Sequence, residues 1–376
     1  MTRWLFLLGF VLLLTLLTWL VARGLFWLIK PYLPNSHALI MISVFVISGV
    51  MVAMLFVGQF RWSVGYLATL WLAILTIIIT AGTGYLLRAL GYDVMHGVLI
   101  RLFGVASFVG LVGMALYNAY TPVVRHLSIE LDKPIKHPIT LALASDLHLG
   151  SLFGSKQLYT LATILKQERV ELLLMPGDIM DDDTRIYDGQ NMKTAFETVV
   201  QAAKGNVVAS LGNHDLYNNA ERLAIANAIK ATGAVLLDDK VATITLNGTE
   251  LTVIGRFDDH TKNRLSTAEL ISTANTNNPV ILLDHRPSQI DDNVKHPIDL
   301  QVSGHTHNGQ IFPANFIVKA INRVGYGHEK INNTHVVVSS GYGFWGVPFR
   351  LASQSEIWVI KLVGQSLSNQ TSQKPA

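Results

Sequence analysis

The chain contains no cysteine, which excludes disulfides, thiolate nucleophiles and thiolate-held zinc. Its compartment stays open, because a chain without Cys suits reducing and oxidising spaces alike. Charge is also scarce. Asp, Glu, Lys and Arg make up 15% of 376 residues, against 50% for apolar types, and the usual charged share is about 25%. Acid is scarcest at the front: residues 1–120 hold only Asp93, with Arg3, Arg23, Lys30, Arg61, Arg88 and Arg101, a net of +5. The remainder carries 23 bases and 25 acids, a net of −2. Such a half lacks the field that gathers nucleic acid by counterion release, so no nucleic-acid partner is expected.

What fills the first part is apolar. Runs at 4–22, 38–60, 62–87 and 102–120 are each long enough, at ~1.5 Å per helical residue, to cross a bilayer core. A multi-pass membrane region with four helices is therefore expected over 1–120. The first run is longer than the ~7–15 apolar residues of a cleavable signal, and Val21-Ala22-Arg23-Gly24 is a poor cleavage site. Pro31 and Pro34 should end that helix, and the short link at Arg61 implies an antiparallel hairpin. Trp62, Trp71, Tyr85, Tyr92, Tyr117 and Tyr120 fall mostly near run ends, where aromatic belts sit. No span carries an acid or a His pair at its middle, so anchoring in contact with membrane lipid is expected rather than transport. Basic residues at the helix ends are nearly balanced between the two sides. The short head before the first run leans toward a cytoplasmic placement of the rest.

From 121 onward the pattern changes to short units. Period-two alternation at 127–131 and an apolar strand at 139–144 are followed by helical stretches at 157–167, 191–203 and 220–231. Strands are expected at 171–175, 206–211, 235–237, 242–246, 251–254, 280–283, 300–302, 336–338 and 357–362. This order predicts an α/β fold in which two mixed sheets are layered and flanked by helices over 121–363. The Ser- and Gln-rich stretch 364–376 is expected to be a disordered tail.

Residues of metal-binding type recur where these strands end: Asp146-x-His148, Gly177-Asp178-x-x-Asp181, Gly212-Asn213-His214-Asp215, Asp284-His285 and Gly304-His305-Thr306-His307. Ligands at the carboxyl ends of successive strands converge in space in open α/β sheets. Gly177, Gly212 and Gly304 permit tight turns there. Each piece alone reads as an ordinary turn or a structural histidine. Their order and completeness point to a metal centre, and oxygen and imidazole donors without Cys suit Mn, Fe or Zn.

This series resembles the calcineurin-like metallophosphoesterase superfamily across about 139–310. The stretch 340–350 (SGYGFWGVPFR), followed by Glu356-Ile357, is similar to its bacterial membrane-associated branch, and a multi-pass place in the cell inner membrane is expected. The resemblance implies that Asp146, His148 and His307 hold one divalent ion, that Asn213, His285 and His305 hold a second, and that Asp178 bridges them. It further implies His214 as the general acid for the leaving oxygen, oriented by Asp181. Two such ions draw a nucleophile from water near neutral pH and stabilise charge gathering on phosphorus.

One departure bears on the substrate. Where phosphoprotein phosphatases of the superfamily carry an Arg after G-D-x-x-D, this chain has Asp182 and then Asp183. Added acid at the mouth repels a dianionic monoester more than a monoanionic diester, so a phosphodiester or diphosphate is the expected substrate. Arg256, Arg286 and Arg350 are candidate phosphate contacts. Phe344, Trp345, Pro348 and Phe349 read either as core or as an apolar lip for a lipid-linked substrate. The alternative enzyme is a UDP-diacylglucosamine pyrophosphate hydrolase of lipid A synthesis. The alternative of another class is a membrane scaffold or metal sensor with a non-catalytic centre. Oligomeric state is left open.

Overall fold

A computed structural model describes residues 2–93 and 97–364. Beyond Gly364, the tail expected over 364–376 lies outside the described residues. Contacts divide the chain into two compact units, between Tyr117 and Asn118.

The first unit holds α1 (Thr2–Ile29), α2 (His37–Ala53), α3 (Phe60–Ala89) and most of α4 (Val98–Tyr120). All four are long and apolar enough to cross a membrane. The helix ends differ from the expected runs because charge marks the end of an apolar run without breaking a helix. Arg23 lies inside α1, where its guanidinium sits 5.3 Å from the Trp19 ring, and the helix runs on to the residue before Lys30. The α2–α3 break is a 3-10 turn over Met54–Val57, closed by Gly58 at φ 75°, so Arg61 belongs to the first turn of α3 rather than to the link. Arg101 likewise opens α4, stacked 5.1 Å from Trp27 and donating from Nε to Trp27 O. Hydroxyls join the helices: Thr18 Oγ1 lies 3.2 Å from Ser48 Oγ, which meets Tyr66 OH, and Ser63 donates to Met51 O. Side-chain hydrogen bonds of this kind associate helices in lipid, where no hydrophobic force drives them together.

The second unit is built on twelve strands: β1 (Val123–Leu131), β2 (Ile139–Leu143), β3 (Leu172–Pro176), β4 (Val207–Ser210), β5 (Val235–Leu236), β6 (Lys240–Leu246), β7 (Thr249–Gly255), β8 (Val280–Leu283), β9 (Leu300–Ser303), β10 (Gly327–Ile331), β11 (Thr334–Val338) and β12 (Glu356–Gly364). They form two six-stranded mixed sheets, ordered β1-β12-β2-β3-β4-β5 and β10-β11-β9-β8-β7-β6. Leu141, Leu143, Leu172 and Leu174 from one sheet bury with Leu251, Val253, Ile281, Leu283 and Val302 from the other. Facing apolar sides of this kind are what hold a two-sheet layer together.

The helices here are α5 (Ser155–Gln167), α6 (Arg185–Gly189), α7 (Met192–Ala202), α8 (Asn213–Leu216), α9 (Arg222–Lys230), α10 (Thr267–Ser272), α11 (Ile290–Asn293) and α12 (Ala314–Ile321). The residues Leu158, Leu161 and Leu165 of α5 recur at helical spacing and bury with Phe196 and Val199 of α7 and with the first sheet. β10 and α12 were not expected from the sequence. β10 reads GHEKI with alternating partial exposure, as an edge strand does, and so shows no apolar run.

Candidate metal centre

Both sheets deliver their carboxyl ends to one place. Asp146 and His148 follow β2, Asp178 follows β3, Asn213 opens α8 after β4, His285 follows β8, and His305 and His307 follow β9. Five of these seven residues have left-handed backbones: Asp146 (φ 54°), His148 (47°), Asp178 (51°), His305 (67°) and His307 (47°). Non-glycine residues in that region are strained, and such strain gathers where side chains must be aimed. The close approach needs glycine beside it. A Cβ on Gly212 would fall on Asp178, and one on Gly304 would fall on Asp146 Oδ2.

The side chains form two groups about Asp178. Asp146, His148 and His307 make one and Asp178, His285 and His305 the other, with ligand atoms in each group lying within 4.8 Å of one another. His148 Nε2 is 3.2 Å from His307 Nε2, and His307 Nε2 is 3.5 Å from Asp146 Oδ1. Asp178 Oδ2 lies 3.2 Å from His285 Nε2 and 3.7 Å from His148 Nε2, so one oxygen faces both groups. Its other oxygen accepts the His214 N–H at 2.8 Å.

The donors fit a cation. His285 Nδ1 donates to Pro176 O at 2.8 Å, which leaves the Nε2 lone pair facing Asp178 Oδ2 and Asn213 Oδ1, each 3.2 Å away. The Asn213 amide nitrogen is occupied by Tyr217 OH at 2.8 Å, so its oxygen is the atom turned inward. Three lone-pair donors meeting in a buried space need positive charge between them. Asp146 Oδ2 is buried without a hydrogen-bond partner, although Oδ1 accepts the His305 N–H at 2.9 Å.

The titration behaviour follows from the same geometry. Burial pushes His148 and His305 down to about 3 and Asp146 up to about 6. Burial, with Arg350 beside it, holds His307 well below the usual range. Burial opposes both charges of the Asp178–His285 pair, but their attraction outweighs it, holding the carboxyl low and the imidazole high, so that a cation seated there would take the place of a proton on His285 Nε2. The histidines of the first group are thus neutral and ready to ligate, since a metal ligand must be deprotonated.

The contacts around His214 differ from those expected. His214 Nδ1 bonds Asp182 Oδ1 at 2.8 Å and stands 4.0 Å from Asp181, which instead lies 3.9 Å from His148 Nδ1. Asp182 has a left-handed backbone (φ 70°), and its carboxylate rather than that of Asp181 makes the hydrogen bond to the imidazole. Burial opposes charge on His214, but this hydrogen bond and the Asp178 charge raise its pKa.

The three arginines offered as phosphate contacts are engaged elsewhere. Arg256 holds Asp284 and Leu265 O, and Arg286 holds Asp258 and Asp259. Arg350, fully buried, donates to Ser340 O and Gly343 O with its Nη2 3.1 Å from His307 Nδ1, so its guanidinium is held against that imidazole. The aromatic cluster divides. Phe344 is core, ringed by Tyr120 and Phe153, while Trp345 is half-buried with its ring 6.5 Å from that of His214.

Two contributors had no assigned role. Asp215 is fully buried and accepts the N–H groups of Ile179, Met180 and Gly212, tying the Asp178 loop to the Asn213 turn. Burial and the Asp178 charge push it up to about 7. Its place at the end of Gly-Asn-His-Asp was the available signal. Tyr217, four residues after Asn213 and hence one helical turn on, was equally readable as that residue's partner.

Known proteins are similar to this chain. The model of the family described as calcineurin-like phosphoesterase matches residues 139–309. A Helicobacter pylori protein named an uncharacterized metallophosphoesterase is 31% identical over 254 residues, covering 64% of each chain. A Campylobacter jejuni metallophosphoesterase is 26% identical over 278 residues, covering 73% of this chain and 72% of its own. A zebrafish protein named transmembrane protein with metallophosphoesterase domain is 27% identical over 264 residues, covering 65% and 58%. The chain thus spans just under two thirds of the Helicobacter relative's length. Residues 139–309 thus match the calcineurin-like phosphoesterase model, in a chain whose four apolar helices are long enough to cross a membrane.

Proposed function

We propose that this chain is a membrane-anchored, metal-dependent phosphoesterase that uses two divalent ions, Mn, Fe or Zn, to hydrolyse a phosphodiester or diphosphate. The observation that carries the reading is Asp178 Oδ2, a single carboxylate oxygen facing histidines of both ligand groups. Asp146, His148 and His307 would hold one ion, Asn213, His285 and His305 the other, and Asp178 both. Bound there, the ions supply a nucleophile from water near neutral pH and offset charge on phosphorus. The chain supplies the proton: His214 keeps Nδ1 on Asp182, which leaves Nε2 to protonate the leaving oxygen. This ordered donor argues against a purely structural centre.

The acids Asp181 and Asp182 beside His214, and the engagement of Arg256, Arg286 and Arg350 with protein partners, support a monoanionic diester over a dianionic monoester, while Asp183 is paired with Arg185. The test is a comparison of a bis-aryl phosphodiester with a phosphopeptide, using detergent-purified protein supplied with Mn and an Asp178→Ala control. Faster hydrolysis of the phosphopeptide would reject the diester reading. Turnover of neither substrate by metal-loaded protein would favour a sensor. Trp345 beside His214 supports a lipid-linked substrate. Trp345→Ser should slow a lipid diester and spare a soluble one, and equal loss on both would discard that role.

A further inference from the structure

One helix of the second unit has its apolar side outward. Along α12, Ala314, Asn315 and Val318 are part-buried against the domain, and Val318 is packed over Gly325. The opposite face presents Pro313, Phe316, Ile317, Ala320 and Ile321 to solvent, with Phe316, Ile317 and Ile321 exposed by 62%, 58% and 74%. Burying such residues is ordinarily favourable, and a contiguous exposed apolar patch rimmed by a cation marks an interaction surface. Lys319, also exposed, stands at its edge.

We infer that α12 is an interfacial helix that lays Phe316, Ile317 and Ile321 into the headgroup and upper acyl region of the bilayer, with Lys319 toward anionic headgroups. Three observations favour lipid as the occupant. The last turn of α4 and the lead-in to α12 are held by adjacent carbonyls: Asn118 Nδ2 donates to Arg350 O at 3.2 Å and Phe312 N–H to Leu351 O at 2.9 Å. The fourth apolar span ends at Tyr120 and β1 starts at Val123, and two residues at ~3.3 Å each leave little distance between domain and bilayer. Finally, a helix of eight residues is about 12 Å long, too small to offer the ~800 Å² that a stable protein partner covers. An apolar face beside a basic residue is instead the pattern of a helix lying in a membrane surface.

The placement matters for the metal centre. The start of α12 packs on the turn that carries His305 and His307, so closely that a Cβ on Gly309 would fall on Asn315 N. Docked this way, the helix would hold that turn at the headgroup level. The inference rests on exposure and connectivity, and it stands whether or not the centre hydrolyses phosphoesters.

The absence of native cysteine makes the test direct. Full-length Ile317→Cys and, as a control, Leu223→Cys on α9, which is 69% exposed, are labelled with a fluorophore and placed in phosphatidylcholine–phosphatidylglycerol nanodiscs. The Ile317 label should be shielded several-fold from an aqueous quencher relative to the Leu223 label, and quenched by brominated acyl chains. Equal aqueous access for both labels overturns the inference. Shielding that persists in amphipol without lipid and grows with protein concentration also overturns it, in favour of a second copy. Hydrogen exchange of unlabelled protein checks for label artefacts: the amides of 314–321 should exchange more slowly in nanodiscs than in amphipol, and unchanged exchange counts against docking.

Discussion

In the unit that ends at Tyr117, large side chains such as Leu12, Leu39, Phe56 and Leu99 lie on the outside while Thr18, Ser48 and Ser63 turn inward. In the unit from Asn118 onward, Leu, Ile and Val fill the space between sheets. The buried polar groups there include Asp146, His148, Asp178, Asp215 and His285, gathered at one edge. The inward hydroxyls of the first unit find one another and join helices. Several inward groups of the second bring carboxylate, amide oxygen and imidazole nitrogen together, an arrangement suited to holding a cation among them. The same residue classes are thus used for assembly in lipid and for chemistry at the strand ends. α12 belongs to the second unit by position and to the first by its outward apolar face.

This contrast is sharpest when a polar side chain is removed from each unit. Asp178→Ala should have the largest effect, lowering metal content and abolishing turnover. His214→Ala should keep the metal and lose about 10²–10⁴-fold in kcat. Metal loss in His214→Ala, seen by elemental analysis, would mean that His214 is a ligand instead. Asp215→Ala should come next. It leaves the N–H groups of Ile179, Met180 and Gly212 without their acceptor, a destabilisation of about 3 kcal/mol or more, readable as a lower unfolding midpoint of the domain.

The pH profile separates the two acids near His214. Its pKa is raised by Asp182 against burial, and a general acid acts only while protonated. Asp182→Asn should therefore lower that pKa and move the alkaline limb of kcat/KM to lower pH. Asp181→Asn should move it less, and the reverse order would restore Asp181 as the orienting acid. Smallest is Ser48→Ala in the first unit, which removes the link to Thr18 and Tyr66. Interhelical hydrogen bonds in membranes are worth about 0.6 kcal/mol. A loss matching Asp215→Ala would show that hydroxyls carry the helix assembly as heavily as the buried carboxylate carries the second unit.

How much could be read from sequence differs by residue. That Asp146, His148, Asp178, Asn213, His285, His305 and His307 gather in one place was legible because each follows an apolar strand, and strand ends in open sheets converge. The partner of His214 was not, since Asp181 and Asp182 are adjacent and a left-handed φ at Asp182 decides between them. Arg350 reads from sequence as a candidate phosphate contact because nothing local shows that the carbonyls of Ser340 and Gly343 enclose it. Helix ends in the first unit were misplaced where Arg23, Arg61 and Arg101 served as boundaries. Gly58 and Pro31 mark the real breaks, because backbone geometry ends a helix and charge does not. α12 escaped notice because ANFIVKAI is apolar on nearly every side, and only packing reveals which side faces outward.

Metal content tests the central claim most directly. Detergent-purified protein, saturated with Mn and desalted, should retain about two ions per chain, and the Asp178→Ala variant should lose both together with diesterase activity. Retention of no metal by the wild type, or unchanged metal content in Asp178→Ala, would contradict the account.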